Sequence, residues 1–547
     1  MTTRTTDFTP VIDLLHERGT GPVRARQPLY LDHLPPCNNA CPAGENVQAW
    51  LDLAQAKKYR EAWETIMRDN PFPAVHGRVC YHPCETQCNR GALDSAVSIH
   101  AVERFLGDLA VEQGWSLPPP APSSGKRVLV VGGGPSGLAA AYHLARAGHG
   151  VEIRDAGSLP GGMLHFGIPA YRLPREDLMK EVQRIKATGV VITLNHKVTD
   201  VLAEQAAGHF DAVFIAIGAQ IGKRIDIPAR DASRVIDAIA LLHDVETGGA
   251  PVLGRRVVIY GGGNTAIDAA RTAKRLGAED AVIVYHRDRA HMGAQAFETD
   301  AALSEGIKIK WLSAIKDIGA ADITVEVMRI DENGRPQPTG KIETLSADSV
   351  VLALGQATDS GFLHNVPGIA IGKDGMVAID ANMMTGRAGI FAGGDMVPSQ
   401  RSVTAAVGQG KKAARHIDGW LQGRQLIVKA KHPPVSFEML QLPIYAEAPL
   451  AVQSELPVTA RENFTEIVAS LTEPEALHEA RRCLSCGNCF ECDQCYAACP
   501  EQAIIKLGPG LRYEFDFDRC TGCGVCAETC PCHAIEMIRE PAKAPQP

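Results

Sequence analysis

Cysteine placement constrains this chain more than any other feature. Five of its sixteen cysteines lie between Cys37 and Cys88, eleven lie between Cys483 and Cys532, and residues 89–482 hold none. Cysteines serving as small core residues would be scattered, so these read as ligand sets. The N-terminus lacks the apolar core of an export signal. A long chain without such a signal is expected in the reducing cytosol, where paired thiols bind metals rather than form disulfides. The chain is therefore expected to be cytoplasmic. No apolar run approaches the ~18 residues of a membrane span, so no membrane partner is expected. The net charge of −8 leaves no basic excess for phosphate backbones, which argues against nucleic acid.

The C-terminal block reads Cys489-x2-Cys492-x2-Cys495-x3-Cys499-Pro, then Cys520-x2-Cys523-x2-Cys526-x3-Cys530-Pro. This is the bacterial two-cluster ferredoxin spacing, in which the fourth cysteine of each run serves the other [4Fe–4S] cluster. One cluster is expected on Cys489, Cys492, Cys495 and Cys530, the other on Cys520, Cys523, Cys526 and Cys499. Zinc is the weaker alternative, since both runs are complete and end in Cys-Pro. Cys483, Cys486 and Cys532 are left over, either as spare thiols or as a shifted choice of ligands.

With 547 residues the chain must hold several domains. The expected fold is α/β, with two Rossmann-like domains between an N-terminal helical iron–sulfur domain and a C-terminal ferredoxin-like α+β domain. Residues 1–122 form the first segment, closed by the Pro-rich stretch Leu117–Ser124. Residues 123–228 and 229–384 each carry one glycine loop of a nucleotide-binding fold, and 385–425 a further strand–turn–helix. Residues 426–480 are read as a linker and 481–547 as the ferredoxin domain.

Two glycine loops carry the nucleotide assignment. The first follows the run Val128–Val131 with Gly132, Gly134, Pro135, Ser136 and Gly137, and an Ala-rich helix comes next. Strand, tight glycines and helix N-terminus together hold a pyrophosphate against free N–H groups. Asp155, at the end of the following strand, is placed to accept from a ribose hydroxyl. The second loop offers Gly261, Gly263, Asn264, Thr265 and Asp268 after Val257–Tyr260. Where a carboxylate would mark NAD(H), this loop has His286 and Arg287, and an arginine there pairs with a 2′-phosphate. NADP(H) is favoured, while Asp288 next door keeps NAD(H) open. Further on, Gly394 and Asp395 precede a helix bearing Thr404 and Ala405. They form either a flavin-facing closure or an ordinary strand–turn–helix.

The segments Asn70–Pro73, Gly77–Cys80, Gly161–Pro174, Ala216–Ala219, Gly261–Asp268 and Ala392–Asp395 are those that resemble the small subunit of NADPH-dependent glutamate synthase and its relatives. The resemblance covers roughly residues 35–420. It implies FAD in the first fold, with Gly162, Met163 and Gly218 among its contacts, and NADP(H) in the second, 229–384, inserted between the two parts of the FAD domain, 123–228 and 385–425. In that family the N-terminal region holds two [4Fe–4S] clusters and an extra cysteine pair, which here reads Leu29 and Asp32. Five N-terminal cysteines complete one four-thiolate set, so three clusters are expected in all. Cys41, Cys80 and Cys84 are the core of that set, with Cys88 or Cys37 as the fourth ligand. Glu103 is a further candidate, because relatives use a carboxylate or amide there. A zinc site or bare structural cysteines stay open for this region, and His82 reads as a loop residue.

The expected activity is electron exchange between NAD(P)H and iron–sulfur clusters through FAD. The cofactors carry such chemistry, so no side chain is expected to be catalytic in its own right. The expected partners are the nucleotide and either ferredoxin or the subunits of a partner oxidoreductase, for example a 2-oxoacid:acceptor oxidoreductase. A true glutamate synthase small subunit and a redox-sensing or assembly scaffold are the rival readings.

Overall fold

The computed structural model of the protein describes residues 24–223, 227–228, 234–426 and 431–541. The expected boundary at 228/229, both chain ends and residues 427–430 of the expected linker fall partly or wholly outside them. Among the described residues, no helix is long and apolar enough to cross a membrane.

Two parallel five-stranded sheets form the centre. In the first, the strands run in the order Ile390–Ala392, Ala212–Ile215, Arg127–Val131, Gly150–Arg154, Val191–Thr193. Its middle strand is a continuous apolar run, buried from Val128 to Val131, as a parallel strand covered on both faces requires. The strand Ile390–Ala392 reaches this sheet only after the chain has built the whole second sheet. The second order is Lys308–Lys310, Asp280–Val284, Arg256–Tyr260, Ser349–Leu352, Arg234–Asp237. A three-stranded antiparallel sheet, Ser313–Ile318 with Asp322–Ile330 and Pro336–Ser346, packs beside it.

The helix Val403–Leu421 locks the N-terminal helical region to the first sheet. A Cβ at Gly410 would meet Ser136 O at 2.2 Å, and one at Gly408 would meet Pro42 O at 2.0 Å. Only glycine lets this helix touch both the first glycine loop and the segment after Cys41. Lys411 Nζ fixes the same junction, donating to Ala43 O at 2.7 Å and Asp69 Oδ1 at 2.8 Å.

Residues 426–480 are not a free tether. The helix Glu473–Arg481 buries Ala476 and Ala480, with Leu471, in the same core as Trp50, Leu51, Val97 and Ile99. Arg90 is buried and donates to Ala446 O at 2.7 Å and Arg482 O at 3.2 Å. The C-terminal unit is tied in twice. Its last strand, Ile535–Arg539, pairs antiparallel with the N-terminal strand Arg26–Tyr30. Leu29 lies in that pairing, and Asp32 pairs with Arg512 at 2.8 Å. The two positions that stand in place of the resembled family's extra cysteine pair thus join the N-terminal strand to the C-terminal unit.

Candidate functional site

The first glycine loop builds the cleft. Gly132 has φ +105°, and a Cβ on it would lie 2.5 Å from Ala216 O. A Cβ on Gly137 would strike Gly132 O at 1.9 Å, so the helix Pro135–Arg146 can approach its strand only through glycine. Pro135 opens that helix at a position where no N–H is missed. Gly134 faces open space, and the buried Ser136 Oγ has no partner. A buried, unpaired hydroxyl beside an open glycine at a helix N-terminus fits a bound pyrophosphate. Asp155 is committed to the loop: its carboxylate accepts from Gly133 N at 2.5 Å and Gly157 N at 2.6 Å. It also borders a cleft of about 750 Å³ lined by Gly132, Gly162, Met163 and His196.

A second cavity, of about 180 Å³, joins three regions of the chain. From the first fold it takes Gly134, Ser136, Gly162, Met163 and Gly218, with Gly394 and Asp395; from the second fold it takes Asn264, Thr265 and Asp268; Tyr81 comes from the N-terminal region. Burial raises the Asp395 carboxyl above its usual range, with Arg401 opposing. The start of the helix Val403–Leu421 closes one side, with Thr404 and Ala405 buried. Thr404 also reaches the sulfur of Cys80, next to Tyr81. The thiol-bearing region therefore abuts the place where the two nucleotide folds meet.

In the second loop a Cβ on Gly261 would lie 2.2 Å from Ala353 O, while Gly263 faces open space. Asn264 Oδ1 accepts from Gln295 N at 2.8 Å. Asp268 is a clamp as well as a wall of the cavity. Its carboxylate takes Arg172 Nη1 at 2.8 and 2.9 Å, and Arg172 also pairs with the buried Glu298. Burial raises the Glu298 carboxyl to about 7, with Arg172 opposing. Arg287 has a buried Nε without a partner and makes no ion pair among the described residues. Asp288 is turned away, accepting from His291 N at 3.1 Å and bonded to His291 Nδ1 at 2.6 Å. The arginine therefore lacks an ion-pair partner among the described residues, while its acidic neighbour is bonded to His291. His286, alongside, is half-buried.

The thiols gather in separate groups. Cys499, Cys520, Cys523 and Cys526 line one cavity of about 20 Å³. Cys489, Cys492, Cys495 and Cys530 are mutual electrostatic neighbours. Cys41, Cys80 and Cys84 lie together, with Glu103 beside Cys41 and Cys80. Burial pushes the Cys80 thiol up to about 12. Asn70 Nδ2 ties Glu103 at 2.8 Å to Glu45 at 3.0 Å and His76 at 2.7 Å, all buried. Cys37 and Cys88 point to a different cavity from the other three N-terminal cysteines. His82 stacks on His100, their ring centroids 3.8 Å apart. Tyr81, Arg172 and Arg401 were not singled out from sequence; Tyr81 follows Cys80, Arg172 lies inside the Gly161–Pro174 segment, and Arg401 falls between Asp395 and Thr404.

Fold and site together define an oxidoreductase built to hold FAD, a pyridine nucleotide and [4Fe–4S] clusters. Residues 126–410 match the pyridine nucleotide-disulphide oxidoreductase model, residues 30–115 the dihydropyrimidine dehydrogenase domain II 4Fe–4S model, and residues 488–534 the 4Fe–4S dicluster model. The protein belongs to the pyridine nucleotide-disulphide oxidoreductase family, in the glutamate synthase small chain-like group that carries a C-terminal ferredoxin domain. It is 34% identical to the NADP(+)-dependent formate dehydrogenase subunit beta of Moorella thermoacetica, over 86% of this chain and 74% of that one. It is 32% identical to the NADPH-Fe(3+) oxidoreductase subunit beta of Geobacter sulfurreducens, over 82% and 75%. The glutamate synthase [NADPH] small chain of Azospirillum brasilense is 30% identical, over 77% of this chain and 89% of that one.

Proposed function

We propose that this chain is the nucleotide-facing subunit of a cytoplasmic oxidoreductase complex, exchanging electrons between NADP(H) and [4Fe–4S] clusters through FAD. The observation that carries this is the cavity shared by both glycine loops and Tyr81, the residue after Cys80, whose thiol lies with those of Cys41 and Cys84. When bound there, FAD supplies the exchange between two-electron and one-electron chemistry. The protein's own residues position the reactants. Gly132, Gly134 and Ser136 would hold the pyrophosphate of FAD, and Gly162, Met163, Gly218, Gly394 and Asp395 would contact the rest of the cofactor.

Gly263, Asn264 and Thr265 present the nicotinamide nucleotide from the opposite side, and the Arg172–Asp268 pair holds the two folds face to face. Arg287 selects the 2′-phosphate. Cys41, Cys80 and Cys84, with Glu103 as the carboxylate at hand, hold the cluster beside the flavin. The two ferredoxin sets lie farther along the chain, where a partner subunit or ferredoxin docks. Relatives named as beta subunits and small chains support membership of a complex.

The test is anaerobic mixing with NADPH or NADH. NADPH should bleach the flavin at the lower concentration. In Arg287→Ala the preference should fall about 10- to 100-fold, since a bond to a charged group is worth about 1.5–3 kcal/mol. A flavin that neither nucleotide bleaches would overturn the reading.

A further inference from the structure

Cys37, Cys88, Cys483 and Cys486 line one cavity of about 20 Å³, with apolar walls from Pro35, Pro36, Leu51, Val97, Ile99 and Leu484. The cavity inside the C-terminal ferredoxin set, also lined by four cysteines, has the same volume of about 20 Å³. Two of the four thiols come from a segment some 395 residues beyond the other two, so no local spacing pattern announces the group.

The backbone around these thiols repeats that of the ferredoxin sets. Two residues after Cys520, Gly522 is left-handed (φ +71°) and donates its N–H to the Cys520 sulfur at 3.4 Å. Two residues after Cys483, Ser485 is left-handed (φ +49°) and donates to the Cys483 sulfur at 3.4 Å. His82 does the same for Cys80, with φ +51° and 3.4 Å. Neither serine nor histidine adopts this conformation without cost, and both turn an N–H toward sulfur by doing so. Asn89 Nδ2 adds a donor to Cys486 at 3.4 Å. Hydrogen bonds to ligand sulfurs are among the protein's means of tuning a cluster.

Size separates a cubane from zinc. Four thiolates around one zinc stand about 3.8 Å apart, from a Zn–S bond of about 2.3 Å in a tetrahedron. Among the described residues, which include every cysteine, no trio of thiols falls within 4.8 Å. The set is also held firmly in place. Arg482, just before Cys483, donates to Ser95 O at 2.6 Å and Ala96 O at 3.1 Å.

We infer that Cys37, Cys88, Cys483 and Cys486 bind a [4Fe–4S] cluster, a fourth beside the three expected from sequence. The site shares a one-turn connection with the flavin-side set twice, through Cys37-x3-Cys41 and Cys84-x3-Cys88. It joins the ferredoxin set through Cys486-x2-Cys489, whose Cα atoms an extended chain separates by at most about 11 Å. It therefore sits between the flavin-side thiols and the ferredoxin domain. The inference goes beyond the proposed electron transfer, which stands with three clusters or four.

The decisive experiment counts iron and acid-labile sulfide per FAD in the full chain, purified and reconstituted anaerobically. Wild type should hold about 16 irons, four cubanes of four. Cys37→Ser and the double variant Cys483→Ser/Cys486→Ser should each lose about four, while Cys532→Ser keeps them all. As a check that needs no variant, Cys483 and Cys486 of the iron-loaded wild type should resist iodoacetamide until iron is chelated. About 12 irons in wild type with Cys483 and Cys486 alkylated in the folded holoprotein would overturn the inference. NADPH bleaching of the flavin, measured on the same samples, reports separately on the electron-transfer reading.

Discussion

The two thiol-rich ends of the chain solve the same problem in different ways. At the C-terminus, eight cysteines at fixed short spacings are gathered by two short helices, Gln494–Ala498 and Val525–Glu528, and their strands. At the N-terminus, five cysteines serve two separate places, and one of these is completed by Cys483 and Cys486 from across the molecule. Local ligand sets are coded by spacing, whereas a split set is coded by the contacts that bring distant segments together. The helix Glu473–Arg481 and Arg482 are those contacts, so the stability of the N-terminal region depends on residues that read as a linker.

Two truncations test this contrast with the largest expected effect. Ending the chain after Gly487 should remove the ferredoxin sets and electron delivery to a partner, but leave FAD bound and NADPH:dye reduction largely intact. Ending it after Thr472 should also strip Ala476, Ala480, Cys483 and Cys486 from the N-terminal core. Iron, flavin retention and melting temperature should then fall together. Equal behaviour of the two truncations would mean that the helix contributes nothing to the N-terminal region.

Arg172→Leu should come next. Breaking a buried ion pair by removing one partner costs about 3–5 kcal/mol, and here it leaves Asp268 and Glu298 facing each other. Thermal unfolding should show the loss, and NADPH:dye reduction should fall as the two folds lose their alignment. Thr472→Ala should give the smallest change. It removes the capping box with Glu475 at the start of the helix Glu473–Arg481, worth about 1 kcal/mol. A shift in melting temperature without loss of flavin would place that helix where the comparison puts it.

Legibility in the sequence followed the same division. Strand, glycine turn and helix at 128–147 and 257–275 are local, so pattern alone located the nucleotide folds. Arg287 was legible because it lies just past the strand after its loop, Asp280–Val284, but the fate of Asp288 depended on His291. Asp155 and Asp268 were found as cleft residues, yet their hydrogen-bond partners were not. Asp155 serves its own loop, and Asp268 answers an arginine 96 residues away. Within residues 426–480 the polar helix beginning at Glu473 was legible, but the stretch before it carries no clear periodicity and is held by side chains from elsewhere, such as Arg90 at Ala446 O.

The central claim is that the thiols nearest the flavin cavity are the gate through which electrons reach the ferredoxin domain. Rapid freeze-quench electron paramagnetic resonance of Cys80→Ser, mixed anaerobically with NADPH, tests it directly. The flavin should bleach as in wild type, because no residue of the nucleotide folds has changed. The ferredoxin-domain signals should stay absent on the wild-type timescale and appear only when dithionite reduces the clusters from outside. Ferredoxin-domain signals that arise at the wild-type rate in this variant would contradict the account.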